Sequence, residues 1–249
     1  MTYPETLNRR LRPKKGGEPL VVDLFAGCGG LGLGFEAQGF STIGFEKDAD
    51  CCATYKRNLE GHCEQVMLTP DTPLPPARVV IGGPPCQPFS VNGHQLGLKD
   101  ARDGFPAFIS AIARLQPDIW LFENVRGVLY GNRWYFDEIT TALRELGYVV
   151  EYQLLNAVNY GVPQNRERVI VVGHRGRFCF PKPERQSVNV IDALGESMTA
   201  FPAGSKFLTA SMDDYVARYE KASACIRPRD LRPDAPARTL TCRNLAGAN

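Results

Sequence analysis

From Leu20 onward, short apolar runs alternate with longer stretches in which apolar residues return every three or four positions. Leu20-Val21-Val22-Asp23-Leu24-Phe25 is an apolar run that stops at a glycine-rich turn, the pattern of a buried strand. Leu31, Leu33, Phe35 and Ala37 then lead to Gly39, which predicts a helix with a glycine stop. Thr42-Ile43-Gly44-Phe45 is a second strand ending at Glu46, and Asp48 or Asp50 can cap a helix running toward Asn58. Arg78-Val79-Val80-Ile81 predicts a further strand, Phe105 to Leu115 a helix, and Asp118-Ile119-Trp120-Leu121-Phe122 another strand. Tyr135 to Leu146 repeats the helical spacing with Gly147 as its stop, and Tyr148 to Leu155 and Val169-Ile170-Val171-Val172 close the series.

Strands alternating with helices of this length predict βαβ units and an α/β fold around a mostly parallel sheet. Such sheets bind ligands beyond the carboxyl ends of their strands. The turns after Phe25, Phe45, Ile81 and Phe122, and the neighbourhood of Arg168, are therefore where chemistry is expected. Three regions follow: a basic, weakly structured arm over 1–19, a ligand-binding domain over 20–176, and an irregular basic region over 177–249. In the arm, Arg9, Arg10, Arg12, Lys14 and Lys15 face Glu5 and Glu18, a local net of +3. Beyond residue 176, prolines interrupt the rhythm. Lys221, Arg227, Arg229, Arg232, Arg238 and Arg243 stand there against Asp230 and Asp234, a net of +4 over the last 29 residues.

Composition narrows the class without naming a function. The chain has 249 residues, 43% hydrophobic and 22% charged, with a net charge of +2, which argues against a disordered or fibrous protein and neither demands nor excludes nucleic acid. No run approaches the ~20 apolar residues of a membrane span, and Met1-Thr2-Tyr3-Pro4-Glu5 lacks a signal peptide's apolar core. The eight cysteines form no C-x-x-C pair, and His62, His94 and His174 are widely separated, so no metal site is expected. A cytoplasmic protein with reduced thiols and no membrane partner is the expectation.

Gly27, Gly29 and Gly32 form a literal G-x-G-x-x-G between a strand and a helix. In that context a backbone can approach a nucleotide-like ligand closely, although a glycine-rich packing turn reads the same. Glu46 ends the next strand, where an acid can accept hydrogen bonds from ribose hydroxyls. Gly82-Gly83-Pro84-Pro85-Cys86-Gln87-Pro88-Phe89-Ser90 sets a thiol at a strand end in a loop stiffened by three prolines. Cysteine attacks carbon readily once it is thiolate; a buried cysteine in a proline turn is the plainer alternative. Glu123, in Phe122-Glu123-Asn124-Val125, is either a catalytic acid or base or the cap of a following helix. Arg166 and Arg168 stand one residue apart before an apolar strand, where alternation would point both to one side. They can recognise a carbonyl or a phosphate, or form a solvated charge cluster.

Taken in order, Asp23-Leu24-Phe25-Ala26-Gly27-x-Gly29-Gly30, Pro84-Pro85-Cys86-Gln87-Pro88-Phe89-Ser90, Glu123-Asn124-Val125 and Gln164-x-Arg166-x-Arg168 resemble the cytosine-5 DNA methyltransferases over roughly residues 20–173. The resemblance implies a Rossmann-like, class I S-adenosyl-L-methionine-dependent methyltransferase fold acting on double-stranded DNA. It implies that Phe25 and the Gly27, Gly29, Gly30 turn cradle the cofactor and that Glu46 holds its ribose. Asp23, Lys47, Gln65, Val66 and Pro85 complete the implied cofactor set. Family members often place an acid against the adenine amine after the third strand; that place falls near Gln65-Val66, so this sequence departs there. Asp71, the single acid between Glu64 and Cys86, lies close to Pro70 and Pro73.

The implied chemistry is addition of Cys86 to C6 of a flipped-out cytosine, with Glu123 at N3 and Arg168, together with Arg166, at the O2 carbonyl. An RNA cytosine methyltransferase and a non-catalytic DNA-binding relic are the rival readings, while an oxidoreductase explains only the glycine turn. Only 81 residues follow Arg168, and no Gly-Asn-x-Val-Pro-like closing segment is among them, although Pro236-Ala237-Arg238-Thr239-Leu240 resembles an element of the family's recognition region. The expectation is the catalytic part of a split restriction–modification enzyme, completed by a second subunit.

Overall fold

The computed structural model describes residues 2–85, 103–184, 188–200, 203–205, 207–222 and 231–240. In chain order these form α1 (Tyr3–Arg10), β1 (Gly17–Leu24), α2 (Gly30–Glu36), β2 (Phe40–Glu46), α3 (Ala49–Asn58) and β3 (His62–Gln65). There follow β4 (Val79–Gly82), α4 (Phe105–Leu115), β5 (Ile119–Val125), α5 (Arg133–Glu145) and β6 (Val149–Asn156). The remainder is β7 (Gln164–Asn165), β8 (Glu167–His174), α6 (Val190–Leu194), α7 (Ala210–Ala222) and β9 (Ala237–Arg238). The chain divides into two compact units. The larger comprises Glu5–Leu155 and Glu167–Pro181; the smaller comprises Met1–Pro4, Asn156–Arg166 and Lys182–Asn249.

A seven-stranded sheet in the order β3-β2-β1-β4-β5-β8-β6 organises the larger unit. The pairs from β3 through β5 are parallel, and β8 runs antiparallel to β5. This is the mostly parallel α/β sheet expected from the sequence. Apolar residues cover both faces of its centre, which is why β1 reads as a near-continuous apolar run. Val22, Leu24, Val80, Trp120 and Phe122 pack on one face with Phe105, Phe108, Tyr135 and Ile139 from α4 and α5. On the other face Val21, Val79 and Ile81 meet Leu31 and Phe35 of α2. The chain moves outward from β1 to β3 and then returns to β4. The order therefore reverses between β1 and β4, and a crevice opens at their carboxyl ends.

Several elements depart from the sequence-based expectations. Within the arm expected to be weakly structured, residues 3–10 form a helix; it buries no residue, and Glu5 in its first turn and Arg9 and Arg10 in its last complement the helix dipole. β1 begins at Gly17, three residues earlier than its apolar run. β3 carried no apolar signal because it is an edge strand in which Cys63 alone is buried. In the smaller unit, residues after 176 regain local order: α6 has a reciprocal Asn189–Asp192 capping box, and β7 pairs with β9 in parallel. No helix among the described residues is long and apolar enough to cross a membrane.

Candidate active site

The turn after β1 is built around three unusual backbone positions. Phe25 takes φ +56°, Gly27 +53° and Gly29 +88°. At a non-glycine residue such as Phe25 the left-handed conformation costs about 1–3 kcal/mol, and it persists where surrounding structure imposes it. Gly29 has a steric requirement as well, since a Cβ there would lie 2.7 Å from the Tyr55 ring. Behind the turn, Asp23 is 1% exposed and accepts a hydrogen bond from the Gly32 amide. Burial pushes its carboxyl up to about 7, against the lowering effect of that amide and with a smaller push from Glu46. Among the described residues its Oδ2 has no hydrogen-bond partner.

Glu46, at the end of β2, locks the turn from the other side. Its Oε2 accepts the Gly27 amide at 3.0 Å, and its Oε1 accepts the amides of Lys47 and Asp48 at 2.8 and 2.9 Å. A carboxylate offers about four acceptor directions, so Oε2 retains one for a ligand.

A cavity of about 390 Å³ opens beyond the ends of β1 to β4, at the strand-order reversal. Phe25, Glu46, Lys47, Val66 and Pro85 line it, five of the residues expected around a cofactor. Asp23, Gly27, Gly29, Gly30 and Gln65 are not in its wall: Asp23 and the glycines shape the turn from behind, and the Gln65 side chain donates to the Lys47 carbonyl. Phe45, Met67, Leu68, Gly83, Asp103 and Gly104 also line the cavity and were not singled out in the sequence. Phe45 and Gly83 flank expected turns. Met67 and Leu68 follow the strand that carried no apolar signal, and Asp103 and Gly104 precede a predicted helix by two positions and one.

Tight packing holds the entrance to α4 against this cavity. Gly104 donates to the Pro85 carbonyl at 3.1 Å, and Gly83 to the Leu24 carbonyl at 3.2 Å. A Cβ on Gly104 would collide with Pro85 Cδ and lie 2.9 Å from the Phe25 ring. Asp103 accepts the Phe105 amide at 3.1 Å and the Tyr135 hydroxyl. The space is of ligand size. The aromatic rings of Phe25 and Phe45, an apolar wall at Val66–Leu68 and a carboxylate with an open acceptor suit a nucleoside whose sugar hydroxyls need a partner, so these residues fit S-adenosyl-L-methionine. Val66, Met67 and Leu68, none of them acidic, line the cavity directly after β3.

At the end of β5, neighbouring side chains serve different tasks because successive residues point to opposite faces. Glu123 Oε1 pairs with Arg168 Nε of β8 at 2.8 Å, with the two side chains 29% and 20% exposed. Asn124, buried on the other face, donates from Nδ2 to the Pro84 carbonyl at 3.2 Å and accepts the Val125 amide at 2.8 Å. Arg126 extends the edge with an ion pair to Glu167 at 2.7 Å. The alternation expected to align Arg166 with Arg168 does not apply. β7 ends at Asn165 and pairs with β9, β8 begins at Glu167 and pairs with β5, and Arg166 is the junction. Its amide is held by Asn156 Oδ1 at 3.0 Å within the smaller unit. Cys86, the expected nucleophile, lies outside the described residues, as do Arg227, Arg229 and Arg243. Among the described residues, no group of three or more His, Cys, Asp or Glu side chains is suited to a metal ion.

Comparison with known proteins agrees with this geometry. The family model for C-5 cytosine-specific DNA methylase matches residues 20–219. Type II methyltransferase M.AplI of Arthrospira platensis is 50% identical over the whole chain, which spans 73% of that protein. M.MthTI of Methanothermobacter thermautotrophicus is 36% identical over 75% of the chain and 59% of its own length. Among solved structures, Spodoptera frugiperda DNMT2 superposes with a TM-score of 0.52 at 24% identity, covering 69% of this chain and 54% of that one, a likeness of fold. The chain belongs to the C-5 cytosine-specific DNA methylases, enzymes that draw their methyl group from S-adenosyl-L-methionine.

Proposed function

We propose that this chain carries the catalytic site of a DNA methyltransferase that modifies C5 of cytosine in duplex DNA through a transient bond to Cys86, within a Type II restriction–modification system. The observation that supports this most is the end of β5. There Glu123 meets Arg168, and the next residue, Asn124, holds the Pro84 carbonyl two positions before Cys86.

Cytosine C5 is too weak a nucleophile to take a methyl group unaided. Addition of the Cys86 thiolate to C6 moves electron density through the ring to C5 and leaves negative charge at N3 and O2. Glu123 supplies the proton, or shares it, at N3. Arg168 offers directed donors to O2, with Arg166 the second candidate for that carbonyl; donors fixed where charge develops are worth most in a dry site. S-adenosyl-L-methionine, when bound, supplies the methyl group as an electrophile on its sulfonium. Glu46 and the Phe25 turn hold that cofactor, and the Val66–Leu68 wall excludes water from it. Loss of the C5 proton then expels Cys86 as thiolate. Since C6 is covered in a stacked duplex, the target base is flipped out. Relatives carry sequence beyond what this chain spans. The remaining recognition region and closing segment are proposed to come from a second polypeptide.

Trapping on duplex DNA containing 5-fluorocytosine, with the candidate partner present, tests this reading, because fluorine does not leave as a proton does. A covalent adduct is expected with the native chain and absent with Cys86→Ser. Glu123→Gln slows its formation about 100-fold or more while S-adenosylhomocysteine affinity stays within twofold of native. A methyl group on the exocyclic nitrogen, an adduct that survives Cys86→Ser, or labelling of tRNA in preference to duplex DNA would overturn it. Full turnover by the isolated chain would remove the second polypeptide from the scheme.

A further inference from the structure

Two thiols that the reaction does not use meet beside the glycine turn. Cys28 lies between Gly27 and Gly29 and is exposed; Cys51 lies in the first turn of α3 and is half-buried. Their sulfurs are 3.8 Å apart, with Cys28 donating to Cys51. The Cys51 amide is fixed by Asp48 Oδ1 at 2.9 Å, so α3 presents this thiol from a capped helix end. Cys52 and Cys63, by contrast, are buried, and Cys52 donates to the Glu46 carbonyl at 3.4 Å. Cys28 is the exposed sulfur of the two and so meets an oxidant first, while burial, Cys28 and Asp48 together push the Cys51 thiol up to about 12.

We infer that Cys28 and Cys51 form a reversible oxidation site, whose disulfide ties the glycine turn to α3 and lowers the affinity of the adjoining cavity for the cofactor. With hydrogen peroxide as oxidant, Cys28 sulfur attacks one peroxide oxygen. The O–O bond breaks, and Cys28 becomes a sulfenic acid as water is released. Cys51 sulfur then attacks the Cys28 sulfur, the S–O bond breaks, and a second water leaves with the Cys51 proton. The two thiols lose two electrons and the peroxide gains them; an external thiol reverses the change. A disulfide is about 2.0 Å long, so the sulfurs must close by about 1.8 Å. α3 is anchored by the Asp48 cap and by Tyr55, which is buried and bonded to Thr42. The turn is therefore the part that moves, and with it the Gly27 amide that holds Glu46. The effect on the cofactor rests on the function proposed above; formation of the bond does not.

The test uses the full chain carrying Cys86→Ser, so that oxidation of the expected nucleophile does not intrude. After hydrogen peroxide, non-reducing peptide mass spectrometry is expected to show the peptide containing Cys28 joined to that containing Cys51, two hydrogens lighter. The link persists in Cys52→Ser, disappears in Cys51→Ser, and is reversed by dithiothreitol. Calorimetry with S-adenosylhomocysteine is expected to show affinity weakened about tenfold on oxidation, the scale of one lost charge-assisted hydrogen bond. In Cys51→Ser affinity is the same before and after peroxide. Absence of the linked peptide, its persistence in Cys51→Ser, or a linked protein of unchanged affinity overturns the inference. A reduced protein that does not bind S-adenosylhomocysteine tells against the cofactor assignment instead, and the peptide map still decides the thiol pair.

Discussion

Asp23 gives the fold a pH dependence that a single substitution should remove. Its carboxyl ionises near 3.8 in the unfolded chain but at about 7 in the fold, chiefly through burial. A carboxyl raised in this way stabilises the fold most below its unfolded value, and the contribution is lost as pH rises through the folded one. At about 1.4 kcal/mol for each tenfold change in a protonation equilibrium, the interval amounts to about 4 kcal/mol in full. Between pH 5 and pH 8 about 2–3 kcal/mol of it should be felt, because the unfolded chain is already ionised at the lower value. Asp23→Asn keeps an acceptor for the Gly32 amide and deletes the titration. The substitution carries its own offset from the amide left facing the Oδ2 position, but that offset does not change with pH. The assay is denaturant unfolding of both proteins without ligand from pH 5 to 8.5. Native stability is expected to fall relative to Asp23→Asn by about 2–3 kcal/mol across pH 5–8. Two curves that stay parallel would refute the reasoning, whatever their separation.

Three further outcomes follow from contacts around the cavity and the core. Gly104→Ala drives a methyl group into Pro85 and Phe25; overpacking of about 1–3 kcal/mol should weaken S-adenosylhomocysteine binding about tenfold by calorimetry, with an unchanged circular dichroism spectrum. Asn124→Ala releases the Pro84 carbonyl, and kcat should fall about 100-fold while cofactor affinity stays within twofold, the signature of a displaced loop stem. Gly173→Ala places a Cβ inside the Trp120 indole and should lower unfolding stability by at least about 3 kcal/mol, or leave the protein insoluble.

The central strands were legible because their burial on both faces leaves an uninterrupted apolar run. Val21, Val22 and Leu24 of β1 show this, as do Val79, Val80 and Ile81 of β4. The same property marks their carboxyl ends, so the apolar pattern by itself points to the turns at Phe25, Glu46, Pro85 and Glu123. His62–Gln65 was invisible for the opposite reason: an edge strand with one buried residue has no pattern to detect. The helix at Tyr3–Arg10 buries nothing and carries only charge signals, which suit a solvated arm equally well. Arg166 misled because alternation presumes one continuous strand, whereas the chain changes pairing partner there. Asp103 and Gly104 reach the cavity through packing of α4 against Pro85 and Phe25, a long-range contact that no local pattern encodes.

The geometry at the end of β5 is inherited from the core. Trp120, Phe122 and Asn124 share the buried face of the strand, so fixing the two rings fixes which face Asn124 takes and leaves Glu123 for the other. The register with β8 is fixed in turn by Gly173, the residue opposite Trp120, since only a residue without a side chain leaves space for the indole. The same ladder sets Arg168 opposite Val125, within reach of Glu123. A slip of one residue would exchange the faces of Glu123 and Asn124, remove the acid from Arg168 and release the Pro84 carbonyl together. The fit of Trp120 against Gly173 thus also places the pair at the strand's end. A Gly173→Ala protein recovered in folded form should accordingly lose trapping on 5-fluorocytosine DNA, although the substitution lies at the far end of β5 from Glu123.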